Sequence, residues 1–338
     1  MLHSGIDLHK RTIVLSTVDA QGSRLAEAEL PTSRAAVLAY FAKHSGPHRA
    51  VVESTATWYW LRDLLVPLGV DLKLGHSKYI KAISYAKVKT DAVDAHTLAQ
   101  LLRNDLIPEG HMISAAHREE RDLLRARLRL VSQQVRCRLI VEGLLAQYNV
   151  TSVGALPVLV QLRVEMLAQQ RTLLLAHIKQ IEQELAPRLV PTAEAQRLLY
   201  IPGIGKIAAF TILLEVDGIG RFPTVKDFVS YCRLVPSAKN SGGKLRQQRS
   251  KDGNKYLKLA FHHAAVRAIQ YFPEIKRFYG STARRKPAAV ARALVAKELA
   301  RAVYFVLQRQ EPFNGTFKGQ PLSRTKKPKW PRLANPPA

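Results

Sequence analysis

Cysteine is nearly absent from this chain: Cys137 and Cys232 are the only two in 338 residues. They stand far apart in helix-like contexts and offer neither a disulfide framework nor metal-ligand spacing, which fits a reduced, cytoplasmic compartment. No uninterrupted apolar run approaches the length that a bilayer demands. The opening MLHSGIDLHK begins at once with a strand-like pattern and lacks the apolar core of a signal peptide. A soluble, cytoplasmic protein with no membrane partner is the expectation. Acid is the other scarcity. Against 52 Lys+Arg there are 26 Asp+Glu, a net charge of +26 and a pI near 10.3. A balance that basic implies a polyanionic partner. No basic amphipathic helix stands alone to dock on a membrane surface. Nucleic acid remains, with association with the nucleoid when bound to DNA.

What is present is a globular composition, 47% hydrophobic, in a chain long enough for about two domains with cores of their own. The N-terminal third reads as strands over 4–7, 12–18 and 24–30, with a turn at Asp19-Ala-Gln-Gly22. A helix over 33–44, the apolar run RAVVES, a helix over 58–68, the short strand DLKLG and a further helix follow. The order β-β-β-α-β-α-β-α is the ribonuclease-H-like arrangement, an antiparallel meander continued by parallel strands.

Four acids fall informatively on that scaffold. Asp7 lies in the first strand, Glu53 ends the fourth, and Asp91 and Asp94 sit in KTDAVDAHTLAQLL. The i, i+3 spacing of the last two puts both carboxylates on one helix face. Carboxylates a few ångströms apart raise each other's pKa. Two Mg²⁺ ions, with Mn²⁺ as an alternative, would relieve that and support in-line attack at a phosphodiester. Each acid also has a plainer role open to it: Asp91 as a helix N-cap with Asp94 completing a capping box, Asp7 as a solvent-facing strand residue, Glu53 as a loop-edge charge.

The middle of the chain reads as two long antiparallel helices, 117–147 and about 159–185, forming a coiled-coil-like arm for spacing or dimerisation. Arg118, Arg121, Arg125, Arg129 and Arg136 dominate one side of the first, a face suited to a nucleic-acid backbone. Residues 198–216 match a helix-hairpin-helix element. Its Pro-Gly-Ile-Gly turn (Gly203, Gly205, then Lys206) offers backbone N–H groups to a DNA phosphate.

Farther on lies PSAKNSGGKLRQQRSKDGNKYLK, residues 236–258. Ser241 is its small nucleophile, followed by Gly242 and Gly243 and surrounded by Lys239, Lys244, Arg246, Arg249, Lys251, Lys255 and Lys258. The glycines permit close approach of backbone to phosphate, the cations neutralise it, and the serine hydroxyl can attack it. A solvated Ser-Gly-Gly turn would look the same locally. A tyrosine recombinase would need an arginine–histidine constellation that is missing around Tyr256, Tyr271 and Tyr279. The expected domains are 1–110 (ribonuclease-H-like), 111–190 (helical arm), 191–310 (mainly helical, with the serine) and a basic, Pro-rich, disordered tail at 311–338.

The motifs GIDLHK, VVEST, KTDAVDA, IPGIG, RFPTVKDFVSYCRLVPSAKNSGGK and SKDGNKYLK, spread over nearly the whole chain, resemble the transposases of the IS one-ten family of bacterial insertion sequences. The resemblance implies a RuvC-type N-terminal domain whose metal-binding acids fall on Asp7, Glu53, Asp91 and Asp94, and a catalytic serine at Ser241. It further implies a phosphoserine intermediate and a structured bridge RNA that pairs with donor and target DNA. Strand exchange would proceed in a dimer-to-tetramer assembly, with acids and serine from different subunits. One departure is Arg233, where the family commonly has Gly before Leu-x-Pro. Two other readings compete: a metal-dependent Holliday-junction nuclease in which water attacks and Ser241 is structural, and a non-catalytic nucleic-acid-binding protein.

Overall fold

Ile6, Leu8, Ile13 and Leu15 recur at every second position and share one hydrophobic core on one face of the opening hairpin. In a computed structural model, which describes residues 1–44, 46–55, 57–83, 90–241, 244–248 and 252–323, the chain divides into two units, Met1–Ala115 and Ala116–Ala338.

The first unit contains strands β1 (Leu2–Leu8), β2 (Thr12–Val18) and β3 (Arg24–Pro31), then helix α1 (Arg34–Ala42). Strand β4 (His48–Glu53), α2 (Tyr59–Leu65), β5 (Asp71–Gly75), α3 (Ser77–Ile83), α4 (Asp91–Arg103) and the short β6 (Glu109–Gly110) follow. The sheet order is β3-β2-β1-β4-β5-β6, antiparallel from β1 to β3 and parallel across β1, β4 and β5. One sheet face carries the main core, where Ile6, Leu15 and Val52 meet Tyr40, Phe41, Trp58 and Leu61. On the other, Val51 packs with Leu98 and Leu102 of α4. Helix α4 lies so close to β1 that a Cβ on Gly5 would stand 2.0 Å from the Ala95 carbonyl oxygen and 2.5 Å from the Ala99 nitrogen. Only glycine fits there.

The second unit begins with α5 (Arg118–Gln147) and α6 (Val158–Arg188). They are antiparallel: Arg127 meets Glu182 towards one end, and Leu144 packs with Leu156 and Val164 at the other. The arginine face expected on α5 is only partly a face. Arg121 and Arg125 turn inward to Glu215, because a carboxylate with 2% of its side chain exposed must be paired.

Helices α7 (Ala193–Leu199), α8 (Lys206–Val216), α9 (Val225–Tyr231), α10 (Lys255–Tyr271), α11 (Pro273–Ala283) and α12 (Ala288–Arg309) form the rest, with the hairpin β7 (Ser237–Ser241) and β8 (Lys244–Gln248) between α9 and α10. Small residues on α10 (Ala260, Ala264, Ala265, Ala268) and α12 (Ala296, Ala300) line their buried sides, around Phe228, Phe261 and Tyr304. The expected disordered tail needs correction in its first part. Residues 316–317 and 320–321 pair as β9 and β10, Phe317 is buried in the core, and Ser323 donates to Glu274. The aromatic and apolar residues in that stretch supply the burial that composition alone had discounted. Residues 324–338 lie outside the described part. Among the described residues, no helix is long and apolar enough to cross a membrane.

Candidate metal centre and serine hairpin

Asp7 is the next-to-last residue of β1, on the same side of the strand as Gly5 and therefore facing α4. Helix α4 starts beside it. Its N-cap is Thr90, whose Oγ1 accepts the Val93 amide at 3.3 Å. That corrects the plainer role considered for Asp91: the cap is already filled, and Asp91 and Asp94 stand in the first turn, where the helix dipole favours negative charge. Burial pushes the Asp7 carboxyl above its ordinary range, and the charges of Asp91 and Asp94 push it the same way, while His9 opposes them. Asp7, Asp91 and Asp94 therefore share one electrostatic neighbourhood.

Glu53 enters by register. Strands β1 and β4 are parallel with Gly5 opposite Val51 and Ile6 opposite Val52, so Glu53 occupies the rung beside Asp7. Alternation from Val51, which packs on α4, places Glu53 on that same sheet face. It is half-buried.

Sequence reasoning missed His9. Its Nε2 lies 3.1 Å from Asp7 Oδ2 and 3.5 Å from Asp91 Oδ2. One ligand atom from each of Asp7, His9 and Asp91 falls within 4.8 Å of the others. Two carboxylate oxygens and an imidazole nitrogen converging in this way form a donor set that fits a divalent cation. The signal was available, since residues two apart at a strand end share a side.

The serine lies in the second unit. Ser241 ends β7 and is opposite Lys244 in register, with Lys239 opposite Arg246. Gly242, Gly243, Arg249 and Lys251 lie outside the described residues. The loop is pinned at its base. The Asn254 amide donates to the Tyr231 carbonyl at 2.6 Å, and Arg233 Nε donates to the Gly253 carbonyl at 2.8 Å. Arg233 holds φ at +56°, the left-handed conformation that favours glycine. Its bond to Gly253 supports that unfavourable backbone.

Asn254 then caps α10, accepting from the Tyr256 and Leu257 amides at 2.8 and 3.0 Å. Lys255 follows as the first residue of α10, its ammonium 5.1 Å from the Tyr256 ring centre. In the α7–α8 turn, Gly203 has φ +78° and its Cβ position faces α10, 2.0 Å from the Ala264 carbonyl oxygen. Packing therefore accounts for Gly203. Gly205 is exposed, with open space around its Cβ position, and precedes Lys206 at the start of α8.

Residues 4–150 match a transposase domain of the DEDD type found in IS110 elements, and residues 195–280 match the transposase IS116/IS110/IS902 family. A Pseudomonas aeruginosa protein described as a probable family 20 transposase is 26% identical over 335 residues, covering 90% of this chain and 96% of its own length. The Yersinia enterocolitica transposase for insertion sequence element IS1328 is 26% identical over 275 residues, covering 75% of this chain and 80% of its own.

Proposed function

We propose that this chain, which carries IS110/IS116/IS902-family transposase domains, cuts and rejoins DNA as the transposase of an insertion sequence. The observation that carries the reading is the meeting of Asp7 and Asp91, with Asp94 in their field, inside the segment that matches the DEDD transposase domain. A ribonuclease-H-like, RuvC-type assignment is supported by the strand order, with antiparallel β1–β3 and with β4 and β5 parallel to β1. It is also supported by acids at the ends of β1 and β4 and at the start of α4. Asp7, Glu53, Asp91 and Asp94 would hold divalent cations, Mg²⁺ or Mn²⁺. When bound, these stabilise charge on phosphodiester oxygens as Lewis acids.

Ser241 is the nucleophile. Its Oγ forms a bond to the scissile phosphorus as the bond from phosphorus to the leaving deoxyribose oxygen breaks. The serine proton is lost and the released sugar oxygen takes one up. Ser241 ends strand β7, and in the sequence it precedes two glycines and stands among lysines and arginines, a composition in which backbone and cation can both approach phosphate. The exposed Gly205 turn and Lys206 offer a second, sequence-independent phosphate contact.

The charge of +26 suits long polyanions. A structured bridge RNA paired to donor and target DNA would carry the sequence information that such contacts do not. Assembly as a dimer or tetramer is supported by the outer side of α6, where Leu159, Leu162, Met166 and Leu173 are 80, 54, 63 and 56% exposed at near-heptad spacing.

The test combines the protein with element-end DNA, the flanking noncoding RNA and Mg²⁺, followed by denaturation and a search for DNA attached to protein. An adduct that Ser241→Ala abolishes is the expected result. Cleavage persisting in that variant without an adduct would favour the junction nuclease that uses water. Binding without cleavage in the wild type would favour a non-catalytic nucleic-acid-binding protein.

A further inference from the structure

We propose that His9 is a ligand of the cation held by the N-terminal acids, which makes this site a mixed nitrogen–oxygen site rather than an all-carboxylate one. The inference rests on the reading that Asp7 and Asp91 hold a divalent cation.

Three features of the chain point to it. First, the His9 backbone is fixed at both ends of its peptide unit. Its amide donates to the Thr12 carbonyl at 3.0 Å, and its carbonyl accepts the Thr32 hydroxyl at 3.0 Å. The turn between β1 and β2 thus holds the imidazole beside the acids at little further entropic cost. Second, a single atom, Nε2, approaches both carboxylates, at 3.1 Å from Asp7 and 3.5 Å from Asp91. Neighbouring ligand atoms around an octahedral cation with bonds of about 2.1 Å stand about 3 Å apart, so this spacing is already near that of a coordination edge. Third, about half of the His9 side chain is exposed, which leaves room for an entering cation and its remaining waters.

A counter-ion role for His9 would look similar without a cation, with the Nε2 proton shared between two carboxylates. The two roles diverge once a cation arrives. A counter-ion is expelled by like charge, whereas a ligand turns its Nε2 lone pair to the metal and carries its proton on Nδ1. Imidazole also changes selectivity. Mg²⁺ prefers oxygen and keeps its water, while Mn²⁺ and later first-row ions accept nitrogen more readily. With His9 as ligand, the site favours Mn²⁺ over Mg²⁺ more strongly than the acids would alone.

The experiment is Mn²⁺ titration of the full chain, followed by electron paramagnetic resonance and electron spin-echo modulation. Wild type, His9→Ala, His9→Gln and Asp7→Asn would be compared, each checked for an unchanged thermal melt. The wild type should show nitrogen modulation from a directly bound imidazole. Both His9 variants should still bind Mn²⁺, about tenfold more weakly, with that modulation gone and with Mg²⁺ competing better. Bound Mn²⁺ without nitrogen modulation in the wild type, or modulation that survives in His9→Ala, would overturn the His9 assignment and leave the acid site standing. Absence of Mn²⁺ binding in the wild type, or binding indifferent to Asp7→Asn, would overturn the acid site and the His9 assignment with it.

Discussion

The side-chain amide of Asn254 donates to Glu215 Oε2 at 2.6 Å, joining the residue that closes the serine loop to a carboxylate inside the protein. Arg125 grips the same carboxylate with two bonds, at 2.5 and 2.6 Å, and stacks 4.4 Å above the Tyr256 ring. Arg121 reaches it at 3.5 Å. Helix α5 of the arm, helix α8 and the start of α10 thus share one buried charge. Removing one partner of a buried pair leaves the other uncompensated, at about 3–5 kcal/mol. Glu215→Ala should lose stability in that range in denaturant unfolding. Glu215→Gln should lose less, because its amide oxygen can still accept from Asn254. A double-mutant cycle with Asn254→Ala should give a coupling of about 1 kcal/mol or more. Additive losses would show that the two residues act separately.

Gly5 sets the distance between β1 and α4, and with it the distance between Asp7 and the acids of α4. The atoms that a Cβ would strike, the Ala95 carbonyl oxygen at 2.0 Å and the Ala99 nitrogen at 2.5 Å, are helix backbone and cannot rotate away. In Gly5→Ala the helix must move. Overpacking of this kind costs about 1–3 kcal/mol, read as a lowered unfolding midpoint. Mn²⁺ affinity should fall in the same variant, because the displacement falls on Asp91 and Asp94. Retained affinity in a destabilised variant would separate helix position from the acid cluster.

How much of this was legible follows from what each element is made of. Strands β2 and β5 occupy the ranges that their β-branched and apolar residues indicate, 12–18 and 71–75. The acids on β1, β4 and α4 could be read because strand period and helix period are simple rules. Thr90 as the cap was overlooked because Asp91, one residue later, is an equally good capping type. The β7–β8 hairpin was invisible, since Ser-Ala-Lys-Asn-Ser has no apolar alternation to read. The inward turn of Arg121 and Arg125 depends on Glu215, some ninety residues away in the chain. Periodicity carries no information about such a partner. Arg233 holds a left-handed backbone that its residue type does not announce, because arginine favours negative φ.

The exposed stripe on α6 gives a prediction about assembly. Leu162 and Met166 sit one turn apart among apolar neighbours that nothing in the described residues covers. If a second copy packs there, as the proposed oligomer requires, a charge at its centre would be buried unpaired. Leu162→Glu and Met166→Glu should each shift the molar mass measured by light scattering towards the monomer at micromolar concentration. Their melting temperatures should stay within a few degrees of the wild type's when measured in the monomeric range. An unchanged mass in the double variant would remove this stripe from the interface.

The last prediction concerns acid. His48 lies inside the first unit, its Nε2 2.7 Å from Ser4 Oγ, in a chain that continues through Thr17 to the Tyr40 hydroxyl. Its ring stands 4.9 Å from that of Phe41. Burial pushes its pKa from 6.5 down to about 4. Above pH 6.5 the imidazole is neutral in both folded and unfolded chains, and the shift has no effect on stability. Between 6.5 and about 4 the unfolded chain binds a proton that the folded chain refuses, so stability falls as pH falls, by about 1.4 kcal/mol per unit. The loss should amount to about 3 kcal/mol by pH 4. His3 is lowered too, chiefly by burial, and acts in the same direction, while the raised Asp7 acts in the opposite one. Comparing the wild type with His48→Gln isolates the one contribution, since glutamine can still bond Ser4 and does not titrate. The variant, less stable at pH 7 through imperfect packing, should lose about 3 kcal/mol less than the wild type between pH 7 and pH 4. Parallel losses in the two proteins would mean that the folded protein takes up that proton without penalty, and that the Ser4–Thr17–Tyr40 chain opens to admit it.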